Sequence, residues 1–279
     1  MVMGIPGAGK SRLAEQFVDR GYLRLNRDER GGSLGEITSA LDRELSAGVR
    51  RAVLDNTYLT RAARSYVIET ASRHHASIRC VWLDTPLAQA QVNLVERLLS
   101  RYGSLPSPEE LRRLARLDAG VHTPTTQMRT VRELEAPSMD EGFAQVETVR
   151  FTRTPRSDRQ HAGVFVAASA LTRPGWERAI EGANPGEPHL IFDWCPEDCL
   201  DSLRAQAALL SRSVSGVVEI SACRHGGGAP ICWCRPPLPG LPMAFAHQHG
   251  IDLQRSVFLG TTATHRRLAT TLGAAYTEL

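Results

Sequence analysis

Two hydrophobic periods alternate along this chain. Short apolar runs read as strands: Met1-Val2-Met3, Tyr22 to Leu25, Ala52 to Asp55, Ile78 to Leu83 and Val146 to Phe151. Between them, apolar residues recur at helical spacing. Leu13, Ala14, Phe17 and Val18 form one such face, closed by Gly21, and Leu34, Ile37, Leu41 and Leu45 form another between Ser33 and Ala47. Thr60 is suited to N-cap a helix from Arg61 to about Ser72, and Pro86 opens one that runs to about Ser100. This alternation predicts an α/β fold, a parallel sheet covered on both faces, with ligands at the carboxyl ends of its strands. Asp28 and Asp55 fall just past two such ends. The first strand is short beside the roughly five or six residues of an ordinary strand, so the expectation is a clipped strand or a start further upstream.

Residues 102–135 are polar and arginine-rich, with a helix expected over Pro108 to Leu117, and read as a lid. Thr152 to Gln160 is polar, carries a proline and has no periodicity, so it reads as a linker between a domain at 1–151 and a smaller one at 161–279. The second part is again α/β. Strands are expected at Gly163 to Ala168, His189 to Asp193, Val217 to Ile220 and Ser256 to Leu259, and helices at Glu197 to Leu210, Met243 to His249 and Thr264 to Leu272. No internal repeat is present.

Composition adds bounds. At 279 residues, with 42% hydrophobic and 23% charged, the chain suits a soluble globular protein with a real core. No apolar run is long enough to cross a membrane, and the start leads directly into a glycine-rich loop, so neither a membrane partner nor a signal peptide is expected and the expected location is cytoplasmic. In a reducing compartment the six cysteines are expected as free thiols or metal ligands rather than disulfides. Net charge is +3, all of it in residues 1–155, where 22 Lys and Arg face 19 Asp and Glu. So small an excess points to a polyanionic partner only if it is focused in a groove.

Gly4-Ile5-Pro6-Gly7-Ala8-Gly9-Lys10-Ser11 fits the phosphate-binding loop G-x-x-x-x-G-K-[ST]. Its glycines let backbone N–H groups turn inward on phosphate oxygens, Lys10 reaches the β and γ phosphates, and Ser11 takes a place on Mg²⁺. Gly7, Ala8, Gly9, Lys10 and Ser11 are therefore the expected ATP and Mg²⁺ contacts. Of the 33 Lys plus Arg, Lys10 is the single lysine, a compact point charge kept where this loop needs one.

Beyond the loop, the blocks LNRDERG, VLDNT with Arg61 and Arg64, the helix bearing Asn93, Arg97 and Arg101, and ELEAPSMDEGF follow in order. Together these blocks resemble the 5′-kinase domain of polynucleotide kinases, over the whole of the first 150 residues or so. The resemblance implies Asp28 as the general base for an attacking 5′-hydroxyl. Arg97 and Arg101, four apart on a helix, would bracket the transferring phosphoryl. Asp55 would lie near the metal or substrate, and Arg64 and Arg30 would contact the acceptor's phosphate. Where some members carry an arginine three residues after the base, this chain has Gly31, with Arg30 adjacent. The implied partners are 5′-OH ends of DNA or RNA, with a ligase or phosphatase in trans and self-association as further roles. Two other readings are kept: a kinase of a small-molecule hydroxyl, and a non-catalytic ATP-responsive scaffold.

In the second part, Cys223, His225, Cys232 and Cys234 supply four soft ligands within one short loop, the donor set of a closed structural Zn²⁺ site, with Cys195 and Cys199 as rival ligands. The loop resembles that of histidinol-phosphatase-type members of the haloacid dehalogenase superfamily. Residues that family needs are missing. Its nucleophilic aspartate falls at Val166-Ala167-Ala168-Ser169, its phosphate-binding lysine at Pro236, and its metal carboxylates at Gly260-Thr261-Thr262-Ala263-Thr264-His265. Asp193 ends a strand but lies in the wrong block to replace the nucleophile. The expectation is a phosphatase-like domain that is catalytically inactive and keeps a zinc staple.

Overall fold

A computed structural model of the chain describes residues 1–153, 161–197 and 199–279, so most of the expected linker, residues 154–160, lies outside it. The described residues form two compact units. The first comprises Met1–Asn93, Ala115–His122 and Thr126–Thr152, and the second Leu94–Leu114, Thr123–Thr125 and Arg153–Leu279. The expected lid is thus shared between the two.

Five parallel strands make the sheet of the first unit: β1 (Val2–Met3), β2 (Leu23–Leu25), β3 (Ala52–Leu54), β4 (Arg79–Asp84) and β5 (Gln145–Arg150). β2 pairs with β3, β4 lies between β1 and β5, and a bridge from Val2 to Asp55 joins the two groups, giving the order β2-β3-β1-β4-β5. The order reverses at β1, and in open parallel sheets ligands bind outside the carboxyl ends of the strands at such a reversal. Two-sided burial explains the central strands: Val2 and Met3 are both buried, as are Val53 and Leu54, whereas the edge strand β5 has no buried residue. Helices α1 (Lys10–Val18), α3 (Leu34–Ser46), α4 (Arg61–Arg73) and the first part of α5 (Leu87–Tyr102) flank the sheet. Ser33 and Glu36 close a capping box at the start of α3, and Thr60 caps α4 by accepting from Ala63 N–H, as its sequence position predicts. Ile37, Leu41, Leu25, Leu54, Tyr58, Val67 and Phe143 fill the core on one side. Helix α2 (Arg27–Arg30), a single turn, was not expected. Nor was α7 (Pro124–Glu133), which follows α6 (Pro108–Leu117) and is mostly polar.

In the second unit β6 (Val164–Ala167), β7 (His189–Trp194), β8 (Val218–Cys223), β9 (Val257–Gly260) and β10 (Ala275–Glu278) are all parallel, in the order β10-β9-β6-β7-β8. β6 is buried throughout, and Phe165 stacks on Phe258 of β9 with centroids 4.6 Å apart. Helices α8 (Trp176–Gly182), α9 (Leu200–Leu210), α10 (Gly240–Gln248) and α11 (Ala263–Leu272) complete it. Helix α8, a short helix that buries Trp176 and Ile180, and the polar edge strand β10 lie outside the expected elements. Cys195 and Cys199 correct an expectation: they are neither free thiols nor rival metal ligands but form a disulfide. The turn between β7 and α9 brings their Cα atoms to 6.1 Å, inside the reach of a disulfide. Among the described residues no helix is long and apolar enough to cross a membrane.

Candidate functional site

The loop Gly4–Ser11 leaves the carboxyl end of β1, at the strand-order reversal, and becomes α1. Gly9 is the N-cap of α1 at φ +97°, a left-handed conformation in which side-chain-bearing residues are strained. At Gly4, with φ +154°, a Cβ would lie 3.0 Å from the Leu83 carbonyl oxygen, so only glycine lets the loop pass β4 this closely. Lys10 Nζ donates to the carbonyls of Gly4 at 2.9 Å and Ile5 at 3.1 Å, which holds the ammonium over the loop. Ser11 is exposed on the first turn of α1, where helical N–H groups have no intrahelical acceptor. Three side chains that sequence reasoning missed or left structural also meet the loop. Gln127 Nε2 donates to Pro6 O at 3.1 Å, Asn93 Nδ2 to Gly7 O at 2.7 Å and Thr85 Oγ1 to Ala8 O at 3.1 Å.

The acidic side of the site is built where β2 and β3 end. Asn26 caps α2 by accepting from Asp28 N–H at 2.7 Å and Glu29 N–H at 3.1 Å, while its amide donates to Asp55 O and Oδ2. Asn56 reciprocates, accepting from Arg27 N–H at 2.8 Å and donating to Leu25 O. This double clamp fixes the turn that carries Asp28. Because Asn26 does the capping, the Asp28 carboxylate is left exposed, with Arg27 at 3.6 Å as its ion partner. Arg30, at the last position of the turn, is also exposed. Asp55 is buried. Arg24 reaches its Oδ2 at 2.5 Å and Glu29 at 2.8 Å, which ties α2 to β3. Asp55 Oδ1 is buried without a hydrogen-bond donor among the described residues. A carboxylate oxygen in that state fits a cation partner, so the residues present suit Mg²⁺.

Arg64 is corrected. It is not a free phosphate contact but the largest fully buried side chain among those described. Its Nε and Nη2 form a bidentate pair with Glu141 at 2.6 and 2.7 Å, and Nη1 donates to the carbonyls of Tyr58, Leu59 and Glu135. Burial pushes the Glu141 carboxyl up, but the hydrogen bonds from Arg64 and Ser138 N–H overcome it and hold the group below the usual range. Glu141 is also the acceptor for Ser138 N–H, in a Ser138-x-x-Glu141 capping box. Arg97 and Arg101 are exposed, one and two turns beyond Asn93 on the same side of α5, within the residues that group with the second unit.

In the second unit, Cys223 ends β8 and the loop beyond it returns Cys232 and Cys234 beside His225, with all four ligand atoms within 4.8 Å of one another. The Cys223–Cys232 sulfurs are 3.6 Å apart, and His225 Nδ1 lies 3.5 Å from Cys223 and 3.3 Å from Cys234. On tetrahedral zinc, with ~2.3 Å to sulfur and ~2.0 Å to nitrogen, the sulfurs would stand about 3.8 Å apart and sulfur and nitrogen about 3.5 Å, so the cluster fits. Hydrogen bonds from Cys223 and Cys234 draw the Cys232 thiol below its ordinary value, while Cys232 pushes Cys223 up and both neighbours push Cys234 up. Ionising three thiols this close would set like charges against one another, and a cation bound among them would relieve that repulsion. Trp194 Nε1 donates to His225 O at 2.8 Å, and Arg235 bonds the carbonyls of Gly226 and Gly228, stapling the loop. At the carboxyl ends of β6 and β9 stand two hydroxyls, Ser169 and Thr261, 2.7 Å apart. His265 Nδ1 accepts from Thr261 N–H, and Asp193 is the next-to-last residue of β7.

Comparison with known proteins agrees with the first unit. Residues 1–121 match the family model described as AAA domain. The bifunctional polynucleotide phosphatase/kinase of Schizosaccharomyces pombe (strain 972 / ATCC 24843) is 30% identical over 155 residues, covering 54% of this chain and 33% of that one. The chain therefore spans about a third of that relative's length. Among solved structures, a protein described as a HAD-like phosphatase, from Mesorhizobium loti, overlaps 45% of this chain and 74% of its own at 19% identity, with a TM-score of 0.34, too low to establish a shared fold.

Proposed function

We propose that this chain is an ATP-dependent polynucleotide 5′-hydroxyl kinase of nucleic-acid end healing. One observation carries the reading: a phosphate-binding loop and an exposed carboxylate, Asp28, stand at the carboxyl ends of the same parallel sheet. The 155-residue likeness to a bifunctional polynucleotide phosphatase/kinase supports the class of acceptor. In this reading the loop N–H groups and Lys10 hold the phosphates of ATP. Ser11 and Asp55 would hold Mg²⁺, which neutralises phosphate charge when bound. Asp28 accepts the proton of the 5′-hydroxyl as it attacks, Arg30 faces the acceptor, and Arg97 and Arg101 supply cationic charge to the transferring phosphoryl. Residues 1–151 are the kinase domain. Residues 161–279 are a HAD-like, non-catalytic domain with structural zinc on Cys223, His225, Cys232 and Cys234. Hydroxyls replace carboxylates at the ends of β6 and β9, which supports the loss of phosphatase chemistry.

The test is transfer of labelled γ-phosphate from ATP to 5′-OH DNA and RNA oligonucleotides. The wild-type chain should yield labelled oligonucleotide, and Lys10→Ala should not. Asp28→Asn should lower turnover by about 10²-fold or more while ATP binding persists, as expected for loss of a general base. Wild-type turnover in Asp28→Asn sinks the base assignment. Transfer to a nucleoside or sugar but not to oligonucleotides, with acceptor binding indifferent to salt, would replace the polynucleotide reading with a small-molecule kinase.

A further inference from the structure

Consecutive carbonyls at the tip of the phosphate loop, those of Pro6, Gly7 and Ala8, each accept a hydrogen bond from a side chain on a different element. Gln127 comes from α7, Asn93 from α5, and Thr85 from the connection between β4 and α5. Gln127 is fully buried and Thr85 nearly so. All three belong to the first unit, with the loop. In a planar trans peptide the carbonyl and the following N–H point in opposite directions. A donor that pins Pro6 O therefore aims Gly7 N–H the other way, and one that pins Ala8 O does the same for Gly9 N–H. The middle peptide is held at both ends, since Ala8 N–H also donates to Ile5 O at 3.0 Å. Gly7 and Gly9, both at positive φ, could otherwise rotate these planes at little cost.

We propose that Thr85, Asn93 and Gln127 are positioning residues that preorganise the phosphate loop, and that polyphosphate affinity depends on them although none of them need touch the nucleotide. The proposal rests on the nucleotide reading above and deepens it. Preorganised N–H donors bind an anion without first paying to be oriented, so loosening their peptide planes weakens phosphate binding in particular. Gln127 Oε1 accepts no hydrogen bond among the described residues and is buried, which is the state of an amide held in place for its donor end alone.

The experiment is calorimetric titration of the full chain with Mg·ATP and with Mg·tripolyphosphate, which presents phosphates without a base or sugar. Thr85→Val removes the hydroxyl at constant shape. It should weaken both ligands by about five- to tenfold, the effect of losing one orienting hydrogen bond. Thr85→Ser, which keeps the hydroxyl, should restore affinity to within about twofold. Gln127→Leu and Asn93→Leu should act in the same direction, with thermal unfolding followed alongside because Gln127 is buried. Unchanged affinity in Thr85→Val, or equal loss in Thr85→Val and Thr85→Ser, overturns the proposal. A wild-type chain that binds neither ligand overturns the nucleotide reading itself, and the clamp with it.

Discussion

Asp28 and Arg64 show how differently two charged residues of one resemblance fare once surroundings are known. Asp28 keeps an exposed carboxylate because its neighbour Asn26 supplies the cap. Arg64 is spent on Glu141 and three carbonyls. Removing one partner of a buried pair leaves an uncompensated charge, so Arg64→Met should destabilise the first unit by about 3–5 kcal/mol. The double variant Arg64→Met, Glu141→Leu should lose less, because it strands no carboxylate. Denaturant unfolding of the singles and the double measures this. A stable Arg64→Met that only raises the KM for oligonucleotide would return Arg64 to the acceptor side. Nothing about Arg64 in the sequence separates the two fates, since guanidinium groups serve both and burial is a property of the fold.

At the scale of the element, strand ends and helix caps place the chemistry. β8 runs on to Cys223, beyond the apolar stretch that announces it, because its register with β7 pairs Trp194 with Cys223. One ligand is thereby fixed by the sheet, and the loop brings the other three to it. Purified chain should carry about one zinc, as four donors in a closed site predict, and Cys234→Ser should lose most of it. Elemental analysis checks the metal, and the unfolding midpoint should fall in Cys234→Ser and on chelation. A metal-free wild type of unchanged stability would show the thiols to be a reduced cluster only. The same reasoning covers α7. Its proline start and mostly polar composition hid it within a polar stretch, and with it went Gln127, whose part in the loop depends on where that helix packs.

For the whole molecule, pH reports on what folding buries. His189 at the start of β7 is fully buried, and burial pushes its pKa below the ordinary 6.5, with the Glu187 backbone opposing; burial does the same to His265, with Asp193 opposing. In the unfolded chain both would protonate near pH 6.5, ahead of the folded chain. Stability is therefore full above that pH and falls as pH drops below it, towards the folded values, by up to about 1.4 kcal/mol per pH unit for each group. Unfolding midpoints of the second unit should decline as pH falls below about 6.5, and His189→Leu should lessen that slope. A wild type with a flat profile there would show that the histidines titrate alike in both states. The local rules of the chain were legible in order: strand and helix alternation, the glycines and lysine of the loop, the Thr60 cap and the Cys-His spacing each depend on neighbours in sequence, and so can be read without a fold. Which charges are buried and which side chains hold the loop depend on residues far apart in sequence, such as Arg64 with Glu141 and Pro6 with Gln127. Only the packed sheets decide these, because desolvation and hydrogen-bond geometry exist only after distant segments have met.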